Sequence, residues 1–189
     1  MNKQNILITG ANGQLGNCLR DLAADFQEKY NFYYTDVAEL DITDAQAIEK
    51  FVEDNRIDII INAAAYTAVD KAEDEADLAL LINCTAVGNL ANVAKKHGLT
   101  LVHISTDYVF PGNAYIPYKE NDPTGPLSVY GSTKLAGEKA ILESGCRAIV
   151  IRTSWLYSEY GHNFVKTMLR VGAEREVVRV VSDQIGGPT

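Results

Sequence analysis

Residues 5–16 read NILITGANGQLG, a short apolar run followed by glycines at positions 10, 13 and 16. The run predicts a buried strand, and the residues that follow have the periodicity of a helix. Glycines at such a junction permit a tight turn and let the backbone approach a pyrophosphate at the helix N-terminus. A structural turn is the alternative, but the strand–loop–helix context favours a dinucleotide-binding loop, comprising Gly10, Asn12, Gly13, Gln14, Leu15 and Gly16.

The same alternation of short apolar runs and helical patterns continues along the chain. Strands are predicted at 5–9, 32–35, 58–62, 100–105, 148–152 and 177–182. Helices are predicted at 13–28, 44–55 (opened by a capping box from Thr43 to Gln46), 76–96, 128–144 and 163–174. Nearly continuous apolar strands are typical of a parallel sheet that is buried on both faces. The expected fold class is therefore α/β, a Rossmann-like doubly wound parallel sheet with helices on both faces.

Composition limits the classes of function that this chain can have. Of its 189 residues 47% are hydrophobic and 22% are charged, as in soluble globular domains. The net charge of −8 and the lack of a basic run argue against a nucleic-acid partner. No signal-peptide core or apolar stretch of about 18 residues is visible, so we expect no membrane partner. Three widely spaced cysteines favour the cytoplasm, and the scattered His and Cys residues predict no metal site.

A carboxylate follows the second predicted strand at the distance expected for a ribose ligand. Asp36 lies 20 residues after Gly16. There it can accept hydrogen bonds from the adenosine ribose hydroxyls, which favours NAD, unless it is only a solvated turn residue. Asp41 and Ile42 lie farther along and could flank the adenine, or could simply lead into the next helix.

Tyr130 and Lys134 are four residues apart in a predicted helix, so their side chains share one face. An ammonium beside a phenol lowers the pKa of the phenol, which could then give a proton to a carbonyl oxygen during hydride transfer. Lys134 could also hold the nicotinamide ribose. Tyr115 and Lys119 have the same spacing, but Pro117 between them excludes a helix. A surface contact is the alternative for the 130/134 pair.

The long irregular stretch at 106–127 begins where the fourth predicted strand ends. Loops of this length in a compact domain are usually functional. Ser105, Thr106 and Asp107 lie at its start, and the carboxyl ends of strands are where α/β sheets bind ligands. Either hydroxyl could bind a substrate carbonyl beside Tyr130, and periodicity does not choose between them. Trp155 follows the fifth strand and could be core or substrate wall.

Several longer motifs, taken together, resemble the dTDP-4-dehydrorhamnose reductases, a family of extended short-chain dehydrogenase/reductases. The resemblance covers essentially the whole chain, in order. Its most specific parts are STDYVFPG, RTSW and DQIGGPT, and the others are TGANGQLG, LDITD, NAAAYTAVDKAE, VYGSTKLAGEKA and NFVKTML.

The resemblance implies an active site made of Thr106, Tyr130 and Lys134, and so selects Thr106 over Ser105. It implies NADPH or NADH as the cofactor, and reduction of the C4 ketone of dTDP-4-dehydro-β-L-rhamnose to dTDP-β-L-rhamnose. It further implies a cofactor wall of Ala63, Ala64, Ala65 and Tyr66, with Asn83 near the active site. Substrate contacts are implied for Thr106, Asp107 and Trp155, and weaker ones for Val109, Phe110, Asn163 and Asp183.

The family's chains continue past the DQxGxPT segment into a part that completes the nucleotide-sugar site. We therefore expect residues 1–189 to form the NAD(P)-binding Rossmann domain, with little turnover by itself, and a homodimer is possible. Two alternatives stay open. One is a non-catalytic regulatory subunit resembling the β subunit of methionine adenosyltransferase, and the other is a nucleotide-sugar epimerase or dehydratase.

Overall fold

The computed structural model describes residues 3–181 and 186–189. Five parallel strands form one sheet in the order β2-β1-β3-β4-β5. The strands are β1 (Gln4–Thr9), β2 (Tyr30–Thr35), β3 (Ile59–Asn62), β4 (Thr100–Thr106) and β5 (Arg147–Thr153). The helices are α1 (Gln14–Ala23), α2 (Ala45–Asn55), α3 (Val69–Ala72), α4 (Ala76–Leu80), α5 (Ala86–His97), α6 (Val129–Ser144) and α7 (Phe164–Glu174). The predicted α/β fold class is confirmed.

The larger core lies on the face of the sheet that α2, α5 and α6 cover. Leu7, Ile60 and Leu101 from three adjacent strands are fully buried there, beside Ile48 of α2 and Leu90 of α5. Alternate residues of each strand point to this face because the side-chain period of a strand is two. Burial of such side chains contributes roughly 1.5–3 kcal/mol each to the free energy of unfolding.

The opposite face of the sheet is covered at one side only. Ile6 and Ile8 pack with Leu19 of α1 on this face. Near β5 the same face is open, and Ile149 and Ile151 are 56% and 46% exposed. The helices of this face therefore cover less of the sheet than a doubly wound pattern predicts.

The predicted helix 76–96 is one continuous helix, Ala76–His97, with a π-helical turn at Leu81–Thr85. Among the described residues it is the one helix with the length and mean hydropathy of a membrane span, a property that buried core helices share. Its α5 part buries Val87, Leu90 and Ala91 in the main core. The helix ends at Gly98, which has a φ of +69°.

Three local predictions need correction. Residues 177–181 form no strand, and Ser182 lies outside the described residues, so the part of the chain that the structure describes has no sixth strand in the sheet. Valines favour strands only where a neighbouring strand can pair with them.

The other two corrections concern helices. Helix α1 was predicted to reach residue 28, but it ends at Ala23 and passes into a 3₁₀ turn. The cap of α2 is Asp44, whose side chain accepts from Gln46 N and Ala47 N, so the predicted capping box at Thr43 is wrong.

The strand order reverses between β1 and β3, whose carboxyl ends lie side by side. Thr9 of β1 pairs in register with Asn62 of β3, and the next strand outward, β4, ends at Thr106. A crevice forms at such a switch point because the connections from the two strands run to opposite faces of the sheet. The fold therefore brings the glycine loop, residues 63–65 and the end of β4 to one edge.

Candidate active site

A cleft of about 900 Å³ opens at this edge of the sheet. Its size lies in the range of small-molecule and cofactor sites. The sequence-predicted residues that line it are Gly10, Gly13, Gln14, Leu15, Gly16, Asp36, Asp41, Ile42, Ala63, Ala64, Ala65, Thr106, Asp107, Tyr130, Lys134 and Trp155. Residues from widely separated parts of the sequence therefore meet in one cleft.

The structure requires glycine at the three loop positions for different reasons. Gly10 has a φ of +65°, and a Cβ there would lie 2.6 Å from the backbone of Ala64. A Cβ on Gly16 would lie 2.5 Å from the backbone of Ala11. Gly13 is the N-cap of α1 with extended backbone, and a Cβ there would meet only the Gly10 carbonyl oxygen, at 3.3 Å. Gly10 and Gly16 thus serve close packing, while Gly13 keeps the helix N-terminus open to the cleft.

Asp36 follows β2 and is fixed by backbone donors. Its Oδ2 accepts from Asn12 N at 3.1 Å and its Oδ1 accepts from Val37 N at 2.9 Å. These bonds hold the carboxylate at the rim of the cleft beside the glycine loop. Asp41 is held in a similar way, since hydrogen bonds from Thr43 N and Oγ1 lower the pKa of its carboxyl group.

Thr106 and Tyr130 come together at the end of β4. Burial raises the pKa of the Tyr130 phenol, and a side-chain hydrogen bond with Thr106 opposes that shift. The Tyr130 ring also packs edge-to-face on Tyr108, with ring centroids 5.6 Å apart. The hydroxyl of Ser105 instead donates to Glu138 in the interior. This geometry favours Thr106 as the hydroxyl beside the phenol.

Lys134 is placed differently from its prediction. It is 1% exposed, and its Nζ donates to the carbonyl oxygen of Ile104 at 2.7 Å. The prediction that its ammonium lowers the pKa of Tyr130 is wrong for this structure, because burial raises that pKa and the Lys134 charge is turned toward β4. Burial also lowers the pKa of Lys134 itself to about 8, against an opposing effect of Glu138.

Four predicted contact residues lie outside the cleft lining. Asn12 contributes its backbone N–H to Asp36, as described above. Tyr66 turns its hydroxyl to Glu75, which raises the pKa of Tyr66 to about 12. Val109 is fully buried, and Phe110 stacks on the ring of Tyr118 at a centroid distance of 4.4 Å. These last two side chains are packed in the 106–127 loop.

Three further predicted residues have separate outcomes. Asn83 is fully buried and holds the backbone of Tyr66 through bonds of 2.9 and 3.0 Å. Asn163 caps α7, and its Nδ2 donates to the side chain of Gln14 at 2.9 Å. This contact ties the segment after β5 to the phosphate loop. Asp183 lies outside the described residues.

The lining also includes residues that sequence reasoning missed. Leu78, Leu81 and Ile82 form an apolar wall from the helix Ala76–His97, where its π-helical turn begins. Such turns occur often at functional sites, but no residue pattern marks them in advance.

Trp155 was predicted as a lining residue, and its backbone φ of +50° is unusual for a bulky residue. Strain of this kind is typical of sites where a side chain must be aimed.

A partly buried ion pair lies between two of the elements that carry this site. Arg152 Nη2 lies 2.6 Å from Glu138 Oε2, its Nε donates to Oε1 at 2.9 Å, and its guanidinium lies over the ring of Phe110. This bidentate bonding raises the pKa of Arg152. The pair joins β5 to α6, which carries Tyr130 and Lys134.

Arg152→Met is expected to lower the free energy of unfolding by about 3 kcal/mol, because it leaves Glu138 buried without its cation. Urea unfolding followed by circular dichroism measures the change. The double variant Arg152→Met/Glu138→Gln should recover part of the loss, since no unpaired charge remains. A single variant within about 0.5 kcal/mol of wild type would contradict this account.

One cluster of possible metal ligands lies elsewhere. Glu49 and Glu53 of α2 approach His97 at the end of α5, within 4.8 Å of one another. The predicted absence of metal-ligand spacing did not anticipate this trio, because the two helices meet only in the fold. Lys96 also bonds to Glu49 there, and none of the three residues lines the cleft.

Fold and site together define a class of protein. A parallel sheet with a glycine-rich loop at its switch point, a Thr at the end of β4, and a Tyr and a Lys on α6 define a Rossmann-type domain of the short-chain dehydrogenase/reductase class. The particular family follows from comparison with known proteins. The model of the RmlD substrate binding domain family matches residues 4–189, and the chain belongs to that family.

Individual relatives agree with this assignment. The chain is 47% identical over 184 residues to the dTDP-4-dehydrorhamnose reductase of Aggregatibacter actinomycetemcomitans, covering 97% of this chain and 62% of the relative. It is also 47% identical to that of Escherichia coli K12, covering 98% and 62%. A crystal structure of the Bacillus anthracis reductase in complex with NADP superposes with a TM-score of 0.95 at 47% identity, covering 100% of this chain and 66% of that one. The chain thus spans about three fifths of the length of the curated relatives.

Proposed function

We propose that this chain is the cofactor-binding part of an NAD(P)H-dependent reductase that acts on the C4 ketone of dTDP-4-dehydro-β-L-rhamnose. The names of relatives at 47% identity support this proposal. The activity is proposed for the whole protein, since the relatives are longer than the aligned region. Residues 1–189 are proposed to supply the cofactor site and the proton donor.

The observation that carries the proposal is the arrangement across the cleft. The glycine loop and Asp36 form one end, and Thr106 and Tyr130 form the other. A dinucleotide with its pyrophosphate at the N-terminus of α1 would extend from Asp36 toward Tyr130. The open face of Gly13 is the space that such a phosphate needs.

Each residue has a role that follows from its surroundings. The bound cofactor supplies hydride chemistry, and the chain supplies the proton. Tyr130 stays protonated at neutral pH because burial raises its pKa, so its O–H can donate to the developing alkoxide oxygen. Thr106 places a second hydroxyl beside that oxygen. Leu78, Leu81 and Ile82 add an apolar wall to the lining of the cleft.

Titration of NADH and NADPH onto the 189-residue chain tests the cofactor site directly. Binding of either, measured by calorimetry or fluorescence, supports assembly of the site from these residues. Binding of neither would contradict the proposal that this chain carries the cofactor site.

A second experiment uses the full-length protein with the keto-sugar. Net oxidation of the cofactor indicates a reductase, whereas an epimerase or dehydratase keeps its cofactor through the cycle.

Asp36 is expected to reduce affinity for NADPH relative to NADH, since its carboxylate repels a 2′-phosphate. Asp36→Asn should therefore raise the ratio of NADPH to NADH affinity by about tenfold, which equals about 1.4 kcal/mol. Calorimetry with both nucleotides measures the ratio. Glu39→Gln is the matched control, because Glu39 accepts from Asp36 N and does not line the cleft. An unchanged ratio in Asp36→Asn would remove Asp36 from cofactor selection.

The proposed partner is the nucleotide sugar, in a soluble protein with a cytoplasmic location. A homodimer stays a prediction. Size-exclusion chromatography with light scattering tests it on the full-length protein.

A further inference from the structure

A buried row of polar groups lies behind the proposed catalytic residues. Thr9, Asn62, His103 and Lys134 are each at most 1% exposed. Asn62 Nδ2 lies 3.0 Å from His103 Nδ1, and His103 Nε2 lies 3.4 Å from Lys134 Nζ. The row crosses from β1 through β3 and β4 to α6.

The orientation of the Asn62 amide is fixed by its neighbours. Its Oδ1 accepts from the backbone N–H of Ala64 at 3.1 Å and from Thr9 Oγ1 at 2.7 Å. A backbone N–H can only donate, so the oxygen of Asn62 must face Ala64 and its NH₂ must face His103. His103 Nδ1 is therefore an acceptor and carries no proton. Burial lowers the pKa of His103 to about 3, so the neutral ring carries its one proton on Nε2.

This tautomer puts a donor in front of Lys134. An ammonium group can only donate hydrogen bonds. If Lys134 were an ammonium, its N–H groups would face the N–H of His103 Nε2, and no hydrogen bond could form between them. A neutral amine can donate to Ile104 O, at 2.7 Å, and accept from His103 Nε2–H with its lone pair. The surrounding hydrogen bonds thus match the amine better than the ammonium.

We propose that His103 is a positioning residue which, held in its Nε2–H tautomer by Asn62, raises the share of the neutral amine of Lys134 above that of an ordinary lysine. The consequence for catalysis rests on the proposed reductase function. In that reaction, the Lys134 ammonium can release a proton into the cleft near neutral pH and later recover one from water. While Lys134 is neutral, its nitrogen lone pair accepts a hydrogen bond from His103 Nε2–H. The protonation state itself does not depend on that function.

Three other titratable groups lie around Lys134. Glu138, one turn along α6, raises the pKa of Lys134, but its carboxylate is bonded to Arg152 of β5 and Ser105 of β4. Asp107, at the end of β4, has its own pKa raised by burial. Tyr130 faces the cleft from α6 and is neutral. Burial outweighs Glu138, so the pKa of Lys134 falls to about 8.

The tautomer of His103 is tested first on the unaltered chain. Nitrogen-15 NMR of histidine-labelled protein distinguishes a bare ring nitrogen from a protonated one, and His103→Asn assigns the signals. We expect a protonated Nε2 and a bare Nδ1 at pH 7. A protonated Nδ1, or a charged ring, would overturn the proposal. Neither cofactor nor substrate is needed, so failure here is distinct from failure of the reductase function.

The effect on Lys134 is tested by carbon-13 NMR of lysine labelled at Cε, titrated with base, with Lys134→Met to assign the signal. His103→Gln brings an amide oxygen within reach of Lys134, and is expected to raise the pKa of Lys134 by about one unit. His103→Asn is the matched control, since its shorter amide can reach only Asn62, and should raise that pKa less. Circular dichroism confirms folding of both variants. An unchanged pKa in folded His103→Gln would overturn the proposal.

Discussion

Replacing Tyr130 with Phe is expected to lower kcat of the full-length protein, in its proposed reductase activity, by roughly 10²–10⁴. The substitution removes the O–H that donates to the alkoxide oxygen and retains the ring that packs edge-to-face on Tyr108. Cofactor affinity should therefore change little. The rate of NADPH oxidation in the presence of the keto-sugar measures the loss, and nucleotide titration measures the affinity.

Tyr115→Phe is the matched control for this experiment. Tyr115 and Lys119 share the spacing of the active pair, but Tyr115 is 98% exposed in the 106–127 loop and does not line the cleft. Its loss should leave the rate unchanged. A wild-type rate in Tyr130→Phe would remove the phenol from catalysis, and a loss equal in both variants would point to a general effect on folding.

The pH dependence of the reaction follows from the same environment. Burial raises the pKa of Tyr130, so the acid form is present throughout the neutral range and is lost only in strong base. Lys134, with a pKa of about 8, changes charge much closer to neutrality. A rate that changes near the pKa of Lys134 therefore reports the lysine rather than the phenol.

The glycine loop and the five strands could be predicted because they depend on local sequence. Residues 5–16 contain both the apolar run and the glycines, and each strand has its own apolar pattern. The sixth strand, at 177–182, was wrong because β-propensity does not say whether a pairing edge is available. Among the described residues, β5 has no strand on its outer side.

The protonation states of the site could not be predicted from spacing. The i,i+4 spacing puts Tyr130 and Lys134 on one helix face, but it does not show that Nζ reaches Ile104 O. Nor does it show that His103, 31 residues away in sequence, lies beside Lys134. Both contacts depend on how α6 packs on β4, and therefore on the tertiary fold. The direction of the Tyr130 pKa shift was wrong for this reason.

Substitutions in the glycine loop are expected to distinguish glycines needed for packing from the glycine that leaves room for the cofactor. Gly16→Val should lower the free energy of unfolding by about 3 kcal/mol or more, because its Cβ would lie 2.5 Å from the backbone of Ala11. Gly13→Val should change it by less than about 1 kcal/mol, since its backbone is extended and its Cβ has one close neighbour.

Cofactor affinity is expected to fall by roughly a hundredfold in Gly13→Val, about 2.8 kcal/mol, because a branched side chain at the N-cap of α1 occupies the space of a pyrophosphate. Urea unfolding and nucleotide titration on the same samples measure stability and affinity separately. A folded Gly13→Val with unchanged affinity would show that no phosphate approaches this helix end. An unfolded Gly13→Val would show that Gly13 serves packing, as Gly10 and Gly16 do. Only a folded variant that no longer binds the nucleotide agrees with a loop in which two glycines build the turn and the one between them admits the ligand.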